Sequence, residues 1–162
     1  MLQPKYVKIY MLAVLLIGYT VLAAAGDRIP LKPARTDRCP VCGMFVYKYP
    51  DWTATIVLDT GTVLFFDGAK DLFKFYLDPK KYRPDLGPQN ISAIYVTEYY
   101  DVRPIDARKA FFVLGSDIYG PMGRELVAFG SDADARQFMQ DHKGKRVLQF
   151  SRITASIIEK LD

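Results

Sequence analysis

Apolar and polar positions along this chain fall into short runs whose period switches between two and about 3.6 residues, which predicts small strands and helices in alternation. Thr53-Ala54-Thr55-Ile56-Val57-Leu58 has the β-branched, half-alternating character of a strand. Asp59-Thr60-Gly61 supplies a turn, and Thr62-Val63-Leu64-Phe65-Phe66 returns as a second strand, so a hairpin is expected. Asp67 is placed to cap a helix in which Ala69, Leu72, Phe73, Tyr76 and Leu77 form one apolar stripe, with Pro79 as its stop. After a loop from Lys80 to Gln89, punctuated by Pro84, Gly87 and Pro88, Ile91 to Thr97 reads as a strand. Ahead of the hairpin, Phe45 to Pro50 reads as extended chain.

The order then recurs. Ala110 to Leu114 and Glu125 to Phe129 are strand-like on either side of a Gly/Pro loop, Gly115 to Gly123. Ser131 caps a helix with Asp134 three residues on, and Ala135, Phe138, Met139 and His142 carry its apolar period as far as Gly144. Arg146 to Phe150 closes as a strand, and Ile153 to Leu161 suggests a short terminal helix. The expected fold class is α+β: two ββαβ units, about 39–100 and 104–152, each an antiparallel hairpin with one packed helix, within a domain spanning 39–162.

The first 25 residues follow another grammar. Lys5 and Lys8 precede an apolar run from Ile9 to Ala25 that ends in three alanines, the parts of an export signal, with a small-residue cleavage site after Ala25. The run is also near the length needed to span a bilayer, so an uncleaved anchor through residues 9–25 is the alternative. Either way the remainder is directed out of the cytoplasm, and a hydrophobic N-terminal helix precedes the domain. Residues 26–38 read as a linker.

Composition narrows the chemistry. With 162 residues, 50% of them hydrophobic and 14% aromatic, the chain sustains one ordinary domain with a packed core. The net charge of +4 owes half its size to Lys5 and Lys8; without them 20 basic side chains face 18 acidic ones, interleaved, which argues against nucleic-acid binding. Two Cys exclude a disulfide-rich framework, and one His excludes a three-histidine zinc centre.

The densest chemical feature is Cys39-Pro40-Val41-Cys42-Gly43-Met44, three sulfurs within six residues. Two thiolates and a thioether form a soft donor set suited to Cu(I) rather than to hard cations. Gly120-Pro121-Met122-Gly123 offers a further thioether in a loop, able to complete a site begun at Cys39, Cys42 and Met44. Other readings stand beside this one: a structural disulfide, or a thiol–disulfide oxidoreductase using Cys39 and Cys42. The oxidoreductase lacks the strand before and the helix after the motif that would lower a thiol pKa. Closed structural zinc lacks two ligands. His142 as partner to a nucleophilic Cys is weighed against a packed histidine near a helix end, the commoner outcome. Trp52 and the Tyr99-Tyr100 pair read as packing.

Together, Cys-Pro-Val-Cys-Gly-Met followed by Trp52, Leu64-Phe65-Phe66-Asp67 running into a helix, Ile105-Asp106-Ala107 before an aromatic strand, and Gly120-Pro121-Met122-Gly123 leading to Ala128-Phe129 resemble the NosL family, accessory copper chaperones of nitrous oxide reductase. The resemblance runs from Cys39 to about Phe150. It implies a pair of ββαβ units, no enzymatic activity and Cu(I) carriage in the periplasm. It also implies delivery to a copper-enzyme apoprotein through a membrane-bound maturation complex, with Cys39, Cys42, Met44 and Met122 as metal-site residues. Many members carry an acylated Cys just after the signal segment; this chain has Gly26 there.

Overall fold

The computed structural model describes residues 32–86 and 90–162; the expected signal segment and most of the expected linker lie outside the described residues. Ala54–Leu58 (β1) pairs antiparallel with Val63–Phe66 (β2) and with Ile91–Thr97 (β3), and Pro104–Asp106 (β4) joins the free side of β3. The sheet order is β2-β1-β3-β4. Between β2 and β3 run helix α1 (Ala69–Leu77) and the single turn α2 (Pro79–Tyr82). In the second half, Phe111–Gly120 (β5) pairs with Gly123–Phe129 (β6) and Arg146–Gln149 (β7), giving the order β6-β5-β7, with α3 (Asp132–Asp141) before β7 and α4 (Ala155–Glu159) near the C-terminus. Both halves thus place the first hairpin strand centrally and return the strand after the helix to its free edge. This is the expected ββαβ repeat; β4 extends the first half beyond it.

Burial explains why these segments adopt these elements. Every residue of β1 is buried, because β1 has a strand on each side and lies under α1, so all but Thr55 are apolar. The main core links both sheets: Phe73 of α1 meets Phe112 of β5 edge-on at 5.3 Å between centroids and Phe150 at 4.9 Å. A smaller cluster under α3 comprises Val113, Val127, Phe129, Ala135 and Phe138, lidded by Trp52 and Tyr99, whose packing role matches expectation. The sheets also join through backbone, where the Tyr99 N–H donates to the Ala128 carbonyl (3.0 Å) beside a parallel bridge between Glu98 and Ala128. Ser131 caps α3 as predicted, accepting from the Asp134 N–H at 3.1 Å.

Four local expectations are corrected. Phe45 to Pro50 is not extended: Val46–Lys48 and Pro50–Trp52 are 3-10 turns, the second started by Pro50. Gly115 to Gly123 is not a loop, since β5 continues to Gly120 and only Pro121 and Met122 form the turn. A positive φ at Gly115, with a register shift between Leu114 and Tyr119, lets the strand bend and carry on. Asp67 does not cap α1; Gly68 occupies the N-cap without a side-chain bond. The buried face of α1 comprises Ala69, Lys70, Asp71, Leu72, Phe73 and Phe75, and Leu77 is exposed, because α1 is covered by both halves and has no single apolar stripe.

Candidate metal centre

Cys39 and Cys42 sit in a tight knuckle. Arg38 bridges Phe45, the Cys39 N–H donates to the Met44 carbonyl and the Gly43 N–H returns to the Cys39 carbonyl, both at 2.9 Å. Gly43 has a φ of +78°, a left-handed turn that a side chain would strain. Arg38 braces the knuckle outside, stacking over the Phe45 ring at 3.8 Å and donating to the Gly43 carbonyl. Ala34 to Arg38, within the expected linker, are tied to it through the Val46 N–H, which donates to the Asp37 carbonyl at 3.1 Å.

The knuckle faces the start of α1. The buried Cys39 thiol donates to Asp71 Oδ2 at 3.4 Å and the half-buried Cys42 thiol to Asp67 Oδ1 at 3.3 Å. One donor atom from each of these four residues lies within 4.8 Å of every other. Asp67 Oδ2 and Asp71 Oδ1 are buried without a hydrogen-bond partner; the Lys74 ammonium is 3.7 Å from the latter, an ion-pair distance beyond hydrogen-bond length. Such atoms are costly to bury unless something positive meets them. Burial raises the Cys39 thiol far above its ordinary range and pushes Cys42 up to about 12, opposed by backbone N–H groups of Val41 and Cys42 at Cys39 and of Met44 at Cys42. Burial also raises Asp71. The two thiols therefore hold their protons and face aligned N–H groups that stabilise thiolates once a cation replaces those protons.

The cluster opens on a groove of about 540 Å³ between the knuckle, α1, α2, α4 and the β5–β6 turn. Cys42, Asp71 and Met122 line it, so the structure brings Met122, 42% exposed at the hairpin tip, to the same groove as the predicted cysteine. Met44 is half-buried and is not among the lining residues. The tip is held from inside. Lys70, 2% exposed, donates from Nζ to the Met122 carbonyl (2.9 Å) and the Leu161 carbonyl (3.4 Å) and pairs with Asp162 at 3.3 Å. Glu125, at the start of β6, accepts from the Lys70 and Leu126 N–H groups and lies so close to Gly68 that any side chain there would collide with it. His142 stands apart, stacked 4.3 Å from Phe138 with Nδ1 3.3 Å from Asp117, as a packed histidine.

Sequence reasoning singled out the cysteines and Met122 and gave no metal role to Asp67 and Asp71, which the structure sets against the two thiols. The available signal was a pair of acids four residues apart where a strand runs into a helix. What these features define is a small α+β protein with a buried thiol–carboxylate donor cluster at the rim of an open groove, the construction of a metal-binding protein. The sequence profile of the NosL family matches residues 30–158, and the chain belongs to that family. It is 30% identical over 131 residues to the copper-binding lipoprotein NosL of Stutzerimonas stutzeri, covering 77% of this chain and 66% of that protein, just under two thirds of the relative's length. A crystal structure of the copper chaperone NosL from Shewanella denitrificans, 30% identical, agrees with TM-score 0.65 over 76% of this chain and 93% of that one. A solution structure of apo-NosL from Achromobacter cycloclastes, also 30% identical, gives 0.48 over 65% and 87%.

Proposed function

We propose that this protein is a non-enzymatic carrier of Cu(I) that acts outside the cytoplasm and passes its cargo to the apoprotein of a copper enzyme, nitrous oxide reductase, within a membrane-bound maturation complex. The observation that carries the reading is the paired thiols facing two buried carboxylate oxygens that lack a hydrogen-bond partner, in a chain whose relatives are named as a copper-binding lipoprotein and a copper chaperone. Cys39 and Cys42 supply thiolate; Met122, from across the groove, and Met44, from the knuckle, supply thioether. An entering Cu(I) displaces two thiol protons, and Asp71 and Asp67, already accepting from those thiols, are the first acceptors for them. The groove leaves one side of the ion open to an incoming ligand, as hand-over requires. Residues 1–25 act as export signal or anchor, and those that follow act as tether to the folded unit.

A thiol–disulfide oxidoreductase is disfavoured by the same site, since an attacking thiol needs a lowered pKa and both are raised. The test is a competitive Cu(I) titration of the reduced chain with Cys42→Ser, Met44→Leu and Met122→Leu variants alongside. One-to-one binding, weakened in each variant, is the expected result. Binding unaffected by Cys42→Ser refutes the site. Copper incorporation into the apo-reductase, with and without the loaded chain, tests delivery.

A further inference from the structure

On the far side of α4 from the sulfur groove lies a second, smaller groove of about 240 Å³ at the open end of the β6-β5-β7 sheet. Its rim is Arg124, Lys145, Arg146 and Lys160, and no acidic residue lines it. All four cations are exposed, and none has an ion pair or a side-chain hydrogen bond among the described residues. The floor is apolar: Leu114 and Leu161, each 7% exposed, and the half-buried Ile157. The aliphatic stem of Lys145 lies over the backbone at Gly115, so its ammonium is carried at the rim. The two acids of the terminal segment, Glu159 and Asp162, line the other groove. The C-terminal segment thus sorts its charges, acids toward the sulfur site and Lys160 toward the cationic one.

We propose that this groove docks the domain on a bilayer by binding the headgroup of an anionic phospholipid, its phosphate among the four cations and its glycerol and first acyl carbons on Leu114, Ile157 and Leu161. Charge complementarity requires an anionic occupant and the apolar floor requires an amphiphile rather than a bare ion; the choice of a bilayer rests on the proposed reading of the basic-flanked apolar run Ile9–Ala25 as an anchor. Arg124 follows Met122 by two residues, and Ile157 and Ile158 of α4 line opposite grooves. A docked headgroup therefore fixes the direction in which the sulfur groove opens relative to the membrane plane. The inference does not depend on which metal the sulfur site carries.

The test uses the full chain in nanodiscs of neutral phosphatidylcholine, with or without phosphatidylglycerol, and reads amide hydrogen exchange. Protection at Leu114–Gly115, Lys145–Arg146 and residues 157–161 is expected only with phosphatidylglycerol. The docked-to-free ratio read from that protection falls about fivefold for each cation changed to glutamine, as in Arg124→Gln or Lys160→Gln. It is retained in Lys145→Arg and Lys160→Arg, which keep the charge. Equal protection in both discs, or protection insensitive to the glutamine changes, overturns the proposal. So does protection in neutral discs produced by inorganic phosphate alone or by poly-glutamate, which would assign the groove to a free anion or to an acidic polypeptide.

Discussion

Two thiols, each donating to a carboxylate and both raised by burial, make a site in which a cation competes with protons rather than with other metals alone. Each thiol that ionises on binding contributes a tenfold rise in apparent affinity per pH unit for as long as pH stays below its free-state value. With Cys42 pushed up to about 12 and Cys39 still higher, apparent Cu(I) affinity should climb by about a hundredfold per pH unit from pH 6 to 9, without the plateau near 8.5 that ordinary thiols would give. Chelator competition across that range checks it, and a plateau would show that the thiols are not held protonated. The charge of Asp71 adds to burial in raising Cys42, so Asp71→Asn should lower the Cys42 value and speed its alkylation at pH 8. Mass-resolved iodoacetamide kinetics measure this; a slower or unchanged rate would contradict the placement of Asp71 against Cys42. At this scale the sequence was half legible. Cys39 and Cys42 announce themselves because their partnership is three residues long. The carboxylates do not, because the contacts of Asp71 with Cys39 and of Asp67 with Cys42 close over 32 and 25 residues and exist only once α1 docks on the knuckle.

Elements were legible where one rule decided them and misleading where tertiary context supplied a second partner. The hairpin β1–β2 and the Ser131 cap were written locally, in β-branched runs, a Gly turn and a capping residue. Helix α1 was not, for it is sandwiched: Leu72 and Phe73 face the joint core, Phe75 stacks on Phe66 and Tyr82 along another side, and Lys70 and Asp71 are buried because they serve the hairpin tip and the knuckle. A helix with polar buried positions has no clean stripe to read. Lys70 ties this helix to Met122 by a bond to backbone, so its loss should act on geometry rather than on donor identity. Lys70→Met should cost about 2 kcal/mol by leaving the Met122 and Leu161 carbonyls unpaired and should weaken Cu(I) binding, with Cys39 and Cys42 untouched. Urea midpoints and the same titration separate the two effects; unchanged copper affinity would free Met122 from dependence on this tie. Phe73→Ala, by comparison, should cost about 4 kcal/mol while removing no polar contact, since it empties the seam between the halves at Phe112 and Phe150.

Apolar packing, the Tyr99–Ala128 backbone bond and the Lys70 ammonium all hold the two ββαβ halves together, and a buried carboxylate adds a tie that responds to pH. Glu125 stands at the start of β6 in the second half and accepts from the Lys70 N–H at the start of α1 in the first, in space that Gly68 leaves clear. Burial lifts it from 4.5 to about 8, against the pull of the Lys70 and Leu126 N–H groups. The folded-state value is the higher one, so between pH 4.5 and about 8 the native protein holds a proton that the unfolded chain has released. Stability from this group is accordingly greatest below pH 4.5 and falls as pH rises through that window, at up to about 1.4 kcal/mol per pH unit, levelling off above it. Asp71, also raised by burial, adds a trend of the same sign, so the parent's curve alone does not isolate Glu125. Glu125→Gln does: the amide keeps an acceptor oxygen for both N–H groups and cannot ionise. The difference in unfolding free energy between variant and parent, measured by urea titration at steps from pH 4.5 to 9, should widen in the variant's favour with rising pH and then stay constant. A difference that is flat across the range would mean that Glu125 is ionised in the fold throughout, with the Lys70 and Leu126 N–H groups outweighing its burial. The junction between the halves would then rest on a charged tie instead of a neutral one.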